Sequence, residues 1–427
     1  MRIAKLGVLG AGAMGSGIAA LAASAGVPVV LLDIPGPGAD RNSVVRDSLG
    51  RAVKSKPAPF MDPSAARLIR IGNFDDDLGL LADCDLIVEA IIEEVEPKRA
   101  LFERIENVIA PHAIVASNTS GIPIASLRTS AALSPRFLGT HFFNPPRYLH
   151  LLEIIPTSDT SPNVVAEVRR FAQRVLGKGV VVAKDVPGFI ANRLGIFGWI
   201  RAMRLLERFD LTIDEVDALT GTFIGRANSA TFRTADISGL DVVSHVTKGL
   251  SATTGEDFRL PEWVDALVRQ GRLGVKTGVG FYKREGKAIL TLDWKTGEYK
   301  QQSVPELKEL AHLKDAPLEQ RLGGIVRAGG KYAEYLRTLF VEMGHYVISK
   351  TPDIAHDIVS VDRAMEWGFG WEIGPFRQMD ALGIPFLRAQ FAEAKLEQPP
   401  LLQVAQEGFY RELGSGPRQL TLGGTYV

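Results

Sequence analysis

The stretch Gly10-Ala11-Gly12-Ala13-Met14-Gly15 decides the fold of the first part of this sequence. It has the form G-x-G-x-x-G, follows the apolar run Leu6–Leu9 and opens a helical pattern at residues 16–25. The next apolar strand candidate, residues 28–33, ends at Asp33. A strand, a glycine-rich turn, a helix and a second strand with a terminal acid are the fingerprint of a dinucleotide-binding βαβ unit. The sequence therefore predicts a Rossmann-type domain at this end of the chain.

The fingerprint also predicts the cofactor. Gly10 permits the turn, Gly12 lets the backbone approach a pyrophosphate, and Gly15 lets the helix pack closely on the strand. The pyrophosphate would then lie at the positive end of the helix. Asp33 would accept hydrogen bonds from the adenosine ribose and repel a 2′-phosphate, so we expect NAD rather than NADP. The expected cofactor-binding residues of the turn are Gly10, Gly12, Ala13, Met14 and Gly15.

Short apolar runs and helical patterns alternate through residues 1–185. The strand candidates are residues 5–9, 28–33, 85–90, 113–117, 137–143, 149–155 and 179–183, and the helical candidates are residues 16–25, 40–54, 96–110 and 163–176. Because several strand candidates are nearly uniformly apolar, we expect a mainly parallel sheet that is covered on both faces. The alternation predicts an α/β domain with a doubly wound sheet.

The pattern becomes helical after Asp185-Val186-Pro187-Gly188. Residues 189–209 form one long helical candidate, residues 288–300 indicate a hairpin or connector, and the chain is helical again from residue 306. We predict a first helical domain at residues 186–290, a hairpin or linker at residues 291–305, and a second helical domain at residues 306–427.

An internal repeat relates these two helical domains. The pattern F-R-x-x-D-x-x-G occurs at Phe232–Gly239 and again at Phe376–Gly383, and two flanking matches follow the same order in each copy. Self-similarity over so long a period indicates a duplicated domain rather than a solenoid. We therefore predict two related all-helical domains after the α/β domain.

The composition excludes several classes of protein. Apolar residues make up 46% and charged residues 23% of the chain, as in ordinary globular proteins. The 49 Lys and Arg residues balance 49 Asp and Glu residues, so we expect no nucleic-acid partner. Residues 6–32 lack a formal charge, but glycines and Pro28 interrupt them, so we expect no membrane insertion. The single cysteine, Cys84, excludes an intrachain disulfide and a multi-cysteine metal site, and we expect a cytoplasmic protein without a metal.

One histidine and one glutamate are candidates for catalysis. His141 lies at the end of a strand candidate, in His141-Phe142-Phe143-Asn144-Pro145, and Glu153 lies on the next strand candidate. A strand-turn-strand arrangement could bring the two side chains together. A carboxylate beside an imidazole fixes its tautomer, as a general base that oxidises an alcohol requires. From these residues alone, a packed or capping histidine is favoured over a catalytic one, and a solvated strand residue is the alternative for Glu153.

Several stretches together resemble the L-3-hydroxyacyl-CoA dehydrogenase family. They are the fingerprint with Asp33, Val88-Glu89-Ala90-Ile91-Ile92-Glu93, Ser117-Asn118-Thr119-Ser120, His141 to Pro145, Leu152-Glu153, Asp185 to Arg193, and Lys276 to Tyr282. They span about residues 5–283 in the order of that family. The resemblance implies NAD-dependent oxidation of an L-3-hydroxyacyl-CoA to a 3-oxoacyl-CoA in fatty-acid β-oxidation.

The resemblance also implies roles for single residues. His141 and Glu153 would form the catalytic dyad, Ser120 and Asn192 would orient the substrate oxygen, and Asn144 would help to hold the histidine and the substrate. The residues near the nicotinamide ribose would be Glu93, Lys98, Asn118 and Ser120. The residues expected to bind the substrate are Ser48, Arg51, Lys54, Lys56, Ser120, Asn144 and Asn192. The segment around Lys54 and Lys56 differs from the commoner lysine-rich run, so a solvated helix end is an alternative for the basic residues.

The duplicated domain is similar to that in multifunctional fatty-acid oxidation proteins, which also contain an enoyl-CoA hydratase. The chain ends at Val427 without such a segment, so we expect no hydratase activity. The second copy is expected to pack on the first in place of a partner subunit and so allow a monomer; association with other β-oxidation enzymes is the alternative. Two other functions stay open: a dehydrogenase of small free 3-hydroxy acids, and a non-catalytic NAD-binding protein like the crystallin relatives of this family.

Overall fold

The computed structural model describes residues 2–413 and 416–427, and its chain divides into two units, Met1–Phe189 and Ile190–Val427. The first unit contains eight strands: β1 (Leu6–Leu9), β2 (Val29–Asp33), β3 (Ile69–Asn73), β4 (Leu86–Glu89), β5 (Ile114–Ser117), β6 (Phe137–Phe142), β7 (Leu151–Pro156) and β8 (Gly179–Val182). Its helices are α1 (Ala13–Ser24), α2 (Ser43–Lys54), α3 (Val95–Glu106) and α4 (Pro162–Arg174).

The eight strands form one sheet in the order β3-β2-β1-β4-β5-β6-β7-β8. Every neighbouring pair is parallel except β6 and β7. The first six strands have the order of a doubly wound dinucleotide-binding sheet, which confirms the predicted fold class. Parallel strands align their carboxyl ends at one edge, and ligands of such sheets bind where the strand order reverses, here between β1 and β4.

Two features of this unit differ from the sequence-based expectation. Strand β3 was not predicted, because it is an edge strand whose run of apolar residues is interrupted by the exposed Arg70. Helix α1 begins at Ala13 instead of residue 16, so Gly15 already lies in its first turn. The last residues of the fingerprint therefore belong to the helix N-terminus rather than to a preceding loop.

The second unit is mainly helical. Its helices are α5 (Ala191–Arg208), α6 (Ile213–Thr220), α7 (Phe232–Ser238), α8 (Leu240–Thr254), α9 (Glu262–Arg269), α10 (Leu318–Arg327), α11 (Lys331–Ile354), α12 (Ile358–Phe369), α13 (Pro375–Leu382), α14 (Ile384–Glu393) and α15 (Pro400–Val404). Its strands are β9 (Tyr282–Glu285), β10 (Ala288–Leu292), β11 (Tyr299–Gln301), β12 (Tyr410–Leu413) and β13 (Gly416–Gln419). The hairpin expected at residues 288–300 is the antiparallel pair β10–β11.

The first copy of the repeat is held together by two aspartates, of which Asp236 is buried and Asp217 is half-buried. Asp236 accepts hydrogen bonds from the backbone N–H groups of Phe281 and Tyr282, both at 2.9 Å. Asp217 accepts from the Phe232 N–H at 2.7 Å and from the Tyr282 hydroxyl at 2.7 Å. The Phe232 and Phe281 rings meet edge to face at 4.8 Å. These contacts fix helix α7 and the start of β9 to helix α6.

The second copy makes the same contacts with its own residues. Asp380 accepts from the N–H groups of Phe409 and Tyr410 at 2.7 and 2.9 Å. Asp362 accepts from the Phe376 N–H at 2.7 Å and from the Tyr410 hydroxyl at 2.8 Å. The Phe376 and Phe409 rings also meet edge to face at 4.8 Å. This correspondence supports a duplication of the helical domain.

Short strands β9, β12 and β13 were not expected in the two helical copies. Strand β9 consists of Tyr282-Lys283-Arg284-Glu285, which has no apolar alternation to reveal a strand. Hydrogen bonds from the backbone N–H groups of Tyr282 and Tyr410 to Asp236 and Asp380 fix the first residues of β9 and β12. Tertiary contacts, rather than local sequence, therefore place β9 and β12.

The long helices of the two copies, α5 and α11, pack against each other within the second unit. The rings of Phe197 and Tyr346 stack with centroids 3.8 Å apart. The Tyr335 hydroxyl donates to the carbonyl of Ala202 at 3.1 Å. Helix α5 precedes α6 and α7 in the same way as α11 precedes α12 and α13. The pairing therefore joins equivalent elements of the two copies.

Candidate active site

The fingerprint turn is closed on the side of the sheet and open on the other side. Gly10 has φ +98°, and a Cβ atom there would lie 2.6 Å from the carbonyl oxygen of Ala90. A Cβ atom on Gly15 would lie 1.8 Å from the carbonyl oxygen of Gly10. By contrast, Gly12 is exposed and a Cβ atom there would have no neighbour within 4 Å. No acid lies in the first turn of α1, so the open side fits an anionic pyrophosphate.

Asp33 lies at the carboxyl end of β2 beside this turn. Its Oδ2 atom accepts a hydrogen bond from the Ala11 N–H at 2.6 Å, and its Oδ1 atom accepts from the Ile34 N–H at 2.7 Å. The side chain is half-buried. Because an ionised carboxylate has about four acceptor positions, both oxygens can still accept hydrogen bonds from ribose hydroxyls.

The loop after β5 is tied to the turn after β4. The Oε1 atom of Glu93 accepts from the Thr119 hydroxyl at 2.5 Å and from the Ser120 N–H at 2.8 Å. The preceding residue of the loop, Asn118, is buried, and its Oδ1 atom accepts from the Phe142 N–H at 2.9 Å. The structure thus brings Glu93, Asn118 and Ser120 together at the carboxyl ends of neighbouring parallel strands.

Lys98 is enclosed by the protein, with an exposed fraction of 1%. Its Nζ atom lies 2.6 Å from Oε1 of Glu89 and 3.3 Å from Oε2 of Glu93. Glu89 also accepts from the Ser117 hydroxyl at 2.5 Å. Glu89 and Ser117 both belong to sequence motifs, but no role was predicted for either of them. The signal that could have found Glu89 is a charged residue at the end of the apolar run of a buried strand.

The two catalytic candidates face each other across the one antiparallel pair of the sheet. His141 on β6 is the register partner of Glu153 on β7. Nδ1 of His141 lies 2.6 Å from Oε2 of Glu153, and the residues are 3% and 0% exposed. The rings of Phe143 and Phe189 lie 4.4 and 5.5 Å from the imidazole. A neutral imidazole that carries its proton on Nδ1, toward the carboxylate, presents the lone pair of Nε2 to a substrate.

The other predicted substrate residues are less buried. Asn144 directly follows Phe143 and is exposed, and Asn192 lies half-buried in the first turn of α5, in the second unit. At the end of α2, the Arg51 guanidinium donates to the Ser48 hydroxyl at 2.7 Å. The remaining basic candidates, Lys54 and Lys56, are exposed. Within residues 2–413 and 416–427, no carboxylate pairs with Arg51, Lys54 or Lys56. These cations are therefore available to bind phosphate groups.

Neither a metal site nor a membrane span is found in the described parts of the chain. No group of three or more His, Cys, Asp or Glu side chains there could hold a metal ion. None of the helices described is both long and apolar enough to cross a bilayer. Cys84 is fully buried, and burial raises the pKa of its thiol to about 12.

Known proteins match the chain in both units. Residues 5–186 match the 3-hydroxyacyl-CoA dehydrogenase NAD binding domain, and residues 188–284 match the C-terminal domain of the same family. A probable 3-hydroxyacyl-CoA dehydrogenase of Deinococcus radiodurans is 53% identical over 289 residues, which cover 66% of this chain and 84% of the relative. A probable 3-hydroxyacyl-CoA dehydrogenase of Bacillus subtilis is 38% identical over 418 residues, which cover 93% of this chain. The chain spans about half the length of that second relative, 52%.

A solved structure matches across both units. The crystal structure of 3-hydroxybutyryl-CoA dehydrogenase from Escherichia coli has a TM-score of 0.71 and is 22% identical. The match covers 94% of this chain and 98% of that one. At this identity the match establishes a shared fold that includes the region after residue 284.

Proposed function

Because the chain belongs to the 3-hydroxyacyl-CoA dehydrogenase family, whose NAD-binding domain its residues 5–186 form, we propose that it oxidises L-3-hydroxyacyl-CoA to 3-oxoacyl-CoA in fatty-acid β-oxidation. The observation that carries this proposal is the buried hydrogen bond of 2.6 Å between His141 and Glu153. Oxidation of an alcohol needs a base for the hydroxyl proton, and an imidazole oriented by a carboxylate is suited to that task.

In the proposed reaction His141 accepts the proton of the 3-hydroxyl on its Nε2 atom. The imidazole then becomes positively charged in a site walled by Phe143 and Phe189. Glu153 stabilises that charge through the hydrogen bond to Nδ1, because a charge pair interacts strongly where water is excluded. NAD, when bound at the fingerprint turn, supplies the acceptor for the hydride from C3.

The remaining assignments follow the family resemblance and the positions described above. Ser120 and Asn192 donate hydrogen bonds to the substrate oxygen, and Asn144 contacts the substrate beside the histidine. Glu93 and Asn118 contribute to the ribose side of the cofactor site. We assign the phosphates of CoA to the exposed cations at and after the end of α2, and other β-oxidation enzymes are the expected partners of such an activity.

The discriminating experiment follows NADH formation with L-3-hydroxybutyryl-CoA and then with free 3-hydroxybutyrate. We expect turnover of the thioester and at least 100-fold lower kcat/KM for the free acid, because the CoA contacts contribute binding energy at a distance from the reacting carbon. Equal rates on both substrates would indicate a dehydrogenase of small hydroxy acids. NADH binding without turnover of either substrate would indicate a non-catalytic protein.

A further inference from the structure

Glu89 is a buried acid to which the reaction above gives no role. It lies at the carboxyl end of β4 with an exposed fraction of 0%. Its Oε1 atom accepts from the Lys98 ammonium at 2.6 Å and from the Ile91 N–H at 2.7 Å, and its Oε2 atom accepts from the Ser117 hydroxyl at 2.5 Å. The donors come from helix α3, the turn after β4 and the end of β5. One carboxylate therefore joins three elements beneath the edge of the sheet.

We call Glu89, Lys98, Glu93 and Ser117 the Glu89 cluster. Lys98 lies between the two acids of this cluster, with 1% of its side chain exposed against 32% of that of Glu93. A fully enclosed ammonium has little surface to offer a ligand. Its effect on a bound cofactor must therefore be exerted through Glu93, the more exposed member of the cluster.

Glu93 connects Lys98 to the loop after β5. Its Oε2 atom faces Lys98, while its Oε1 atom accepts from the Thr119 hydroxyl and the Ser120 N–H. The position of the loop thus depends on that of Glu93, and the position of Glu93 depends on a cation that Glu89 holds in place. A buried ion pair with satisfied hydrogen bonds is costly to rearrange, so this chain of contacts is stiff.

We propose that Glu89 is a positioning residue for the cofactor site. Through Lys98 it fixes Glu93, and through Glu93 it fixes the backbone at Ser120, so it sets the affinity for NADH and NAD rather than the rate of proton transfer. This inference rests on the proposed cofactor role of Glu93. Glu89 itself need not touch the cofactor or the substrate.

The first test is Glu89→Gln, which keeps the shape of the side chain and removes its charge. The new amide offers one acceptor oxygen instead of two and carries no charge. Glu93 is therefore the remaining anionic partner of the Lys98 ammonium. Glu93 should then be drawn away from Thr119 and Ser120. We expect the NADH dissociation constant, measured by fluorescence titration, to rise on the order of 10-fold. The KM for L-3-hydroxybutyryl-CoA and kcat at saturating NAD should each change by less than the NADH dissociation constant, at most about threefold, because the His141–Glu153 dyad is unchanged and the Ser120 side chain is retained.

A double-mutant cycle with Lys98→Met separates positioning from a general loss of structure. If Glu89 acts through Lys98, then Glu89→Gln should weaken NADH binding no further in a chain that already carries Lys98→Met. Additive losses in the double variant would overturn the proposal. The matched control is Glu167→Gln, since Glu167 is 7% exposed, belongs to the same unit and pairs with Arg170 on α4. An equal loss of NADH affinity in this control would also overturn it.

Glu93→Gln distinguishes failure of this inference from failure of the proposed function. If Glu93→Gln weakens NADH binding and Glu89→Gln binds NADH normally, only the positioning role of Glu89 is overturned. Normal binding by Glu93→Gln would contradict the cofactor role of Glu93 and the positioning role together. If Glu89→Gln does not fold, Glu89→Asp replaces it, because the shorter carboxylate cannot reach Lys98 and Ser117 at once. The same rise in the dissociation constant is expected, and an unchanged value would count against the proposal.

Discussion

The Nδ1 atom of His141 makes a hydrogen bond to the fully buried carboxylate of Glu153. We expect His141→Gln to lower kcat at least 100-fold, which is the size of a typical general-base contribution. NADH binding should be preserved, because the fingerprint turn and Asp33 lie on other strands. Steady-state kinetics and an NADH titration check both parts. Near-normal turnover in a folded variant would remove His141 from the mechanism.

Asp33 is expected to set the choice between the two nicotinamide cofactors. Its carboxylate is fixed by the N–H groups of Ala11 and Ile34, so it cannot easily turn away from a 2′-phosphate. The native protein should have a higher kcat/KM with NAD than with NADP. Asp33→Ala should lower the ratio of these two kcat/KM values by at least about 10-fold, because it removes the like-charge repulsion of the 2′-phosphate. Equal efficiency with both cofactors in the native protein would contradict this assignment.

Motifs predicted some residues of the site better than others. His141 and Glu153 were proposed as a pair from a strand-turn-strand pattern, and register alone places them opposite each other. Glu89 was not given a role, because its importance comes from burial and from partners on three separate elements. Lys98 was expected beside the nicotinamide ribose, whereas its enclosure by two acids only emerges from the folded chain. One-dimensional patterns do not report which side chains become enclosed.

At the level of elements, the connection between β6 and β7 depends on a lysine from the turn before β8. The ammonium of Lys178 donates to the carbonyl of Pro146 at 2.7 Å and to that of Leu149. The residue is 5% exposed, and burial lowers the pKa of the ammonium to about 8. This connection begins two residues after His141, so Lys178 supports the loop that carries Asn144.

The buried lysine predicts a specific dependence of stability on pH. The pKa of Lys178 falls from 10.5 to about 8 on folding, so the folded chain releases this proton before the unfolded chain does. Its contribution is fully present above about pH 10.5 and is lost as the pH falls through about 8. The free energy of unfolding of the native protein, relative to Lys178→Met, should therefore increase between pH 7.5 and pH 10 by at most about 3 kcal/mol.

Urea denaturation at several pH values measures this difference. Lys314→Met is the control, because it removes one lysine from an exposed position. A difference between the native protein and Lys178→Met that stays constant with pH would show that the ammonium of Lys178 is not perturbed by burial.

The elements that the sequence predicted well are those with strong local signals. Strands β1, β2, β4 and β5 are apolar runs in which only the last residue of β2, β4 and β5 is polar, and their burial on both faces agrees with that pattern. Strands β3 and β9 carry exposed charges and are defined by neighbours distant in sequence. The start of α1 was placed too late because glycine is a poor helix former, although Gly15 is required there by close packing on Gly10.

At the level of the molecule, the second unit contains both copies of the helical repeat. The stacked pair Phe197 and Tyr346 and the ion pair of Arg201 with Glu342, 2.6 Å between Nε and Oε2, join helices α5 and α11. Gly195 also admits the ring of Phe369, since a Cβ atom there would lie 2.1 Å from that ring. The second copy therefore covers a face of α5 that would otherwise be exposed.

Truncation after Pro305 tests whether the second copy takes the place of a partner subunit. The shortened chain would expose the face of α5 that contacts α11, and large apolar faces drive self-association. We expect dimers or aggregates in size-exclusion chromatography with light scattering, whereas the full chain should be monomeric. A truncated protein that stays monomeric, soluble and fully active would show that the second copy is not needed for this purpose.

The matching aspartates of the two copies provide the molecule with an internal reference for experiments. Burial raises the pKa of both Asp236 and Asp380 to about 6, and both accept from two consecutive N–H groups, so the two sites are chemically alike. Asp236→Asn and Asp380→Asn should therefore lower the free energy of unfolding by similar amounts. Once this shared loss in the free energy of unfolding has been measured, a difference in kcat between the two variants reports the contribution of the first copy alone to catalysis. A single chain thus allows folding and function to be separated without a second protein for comparison.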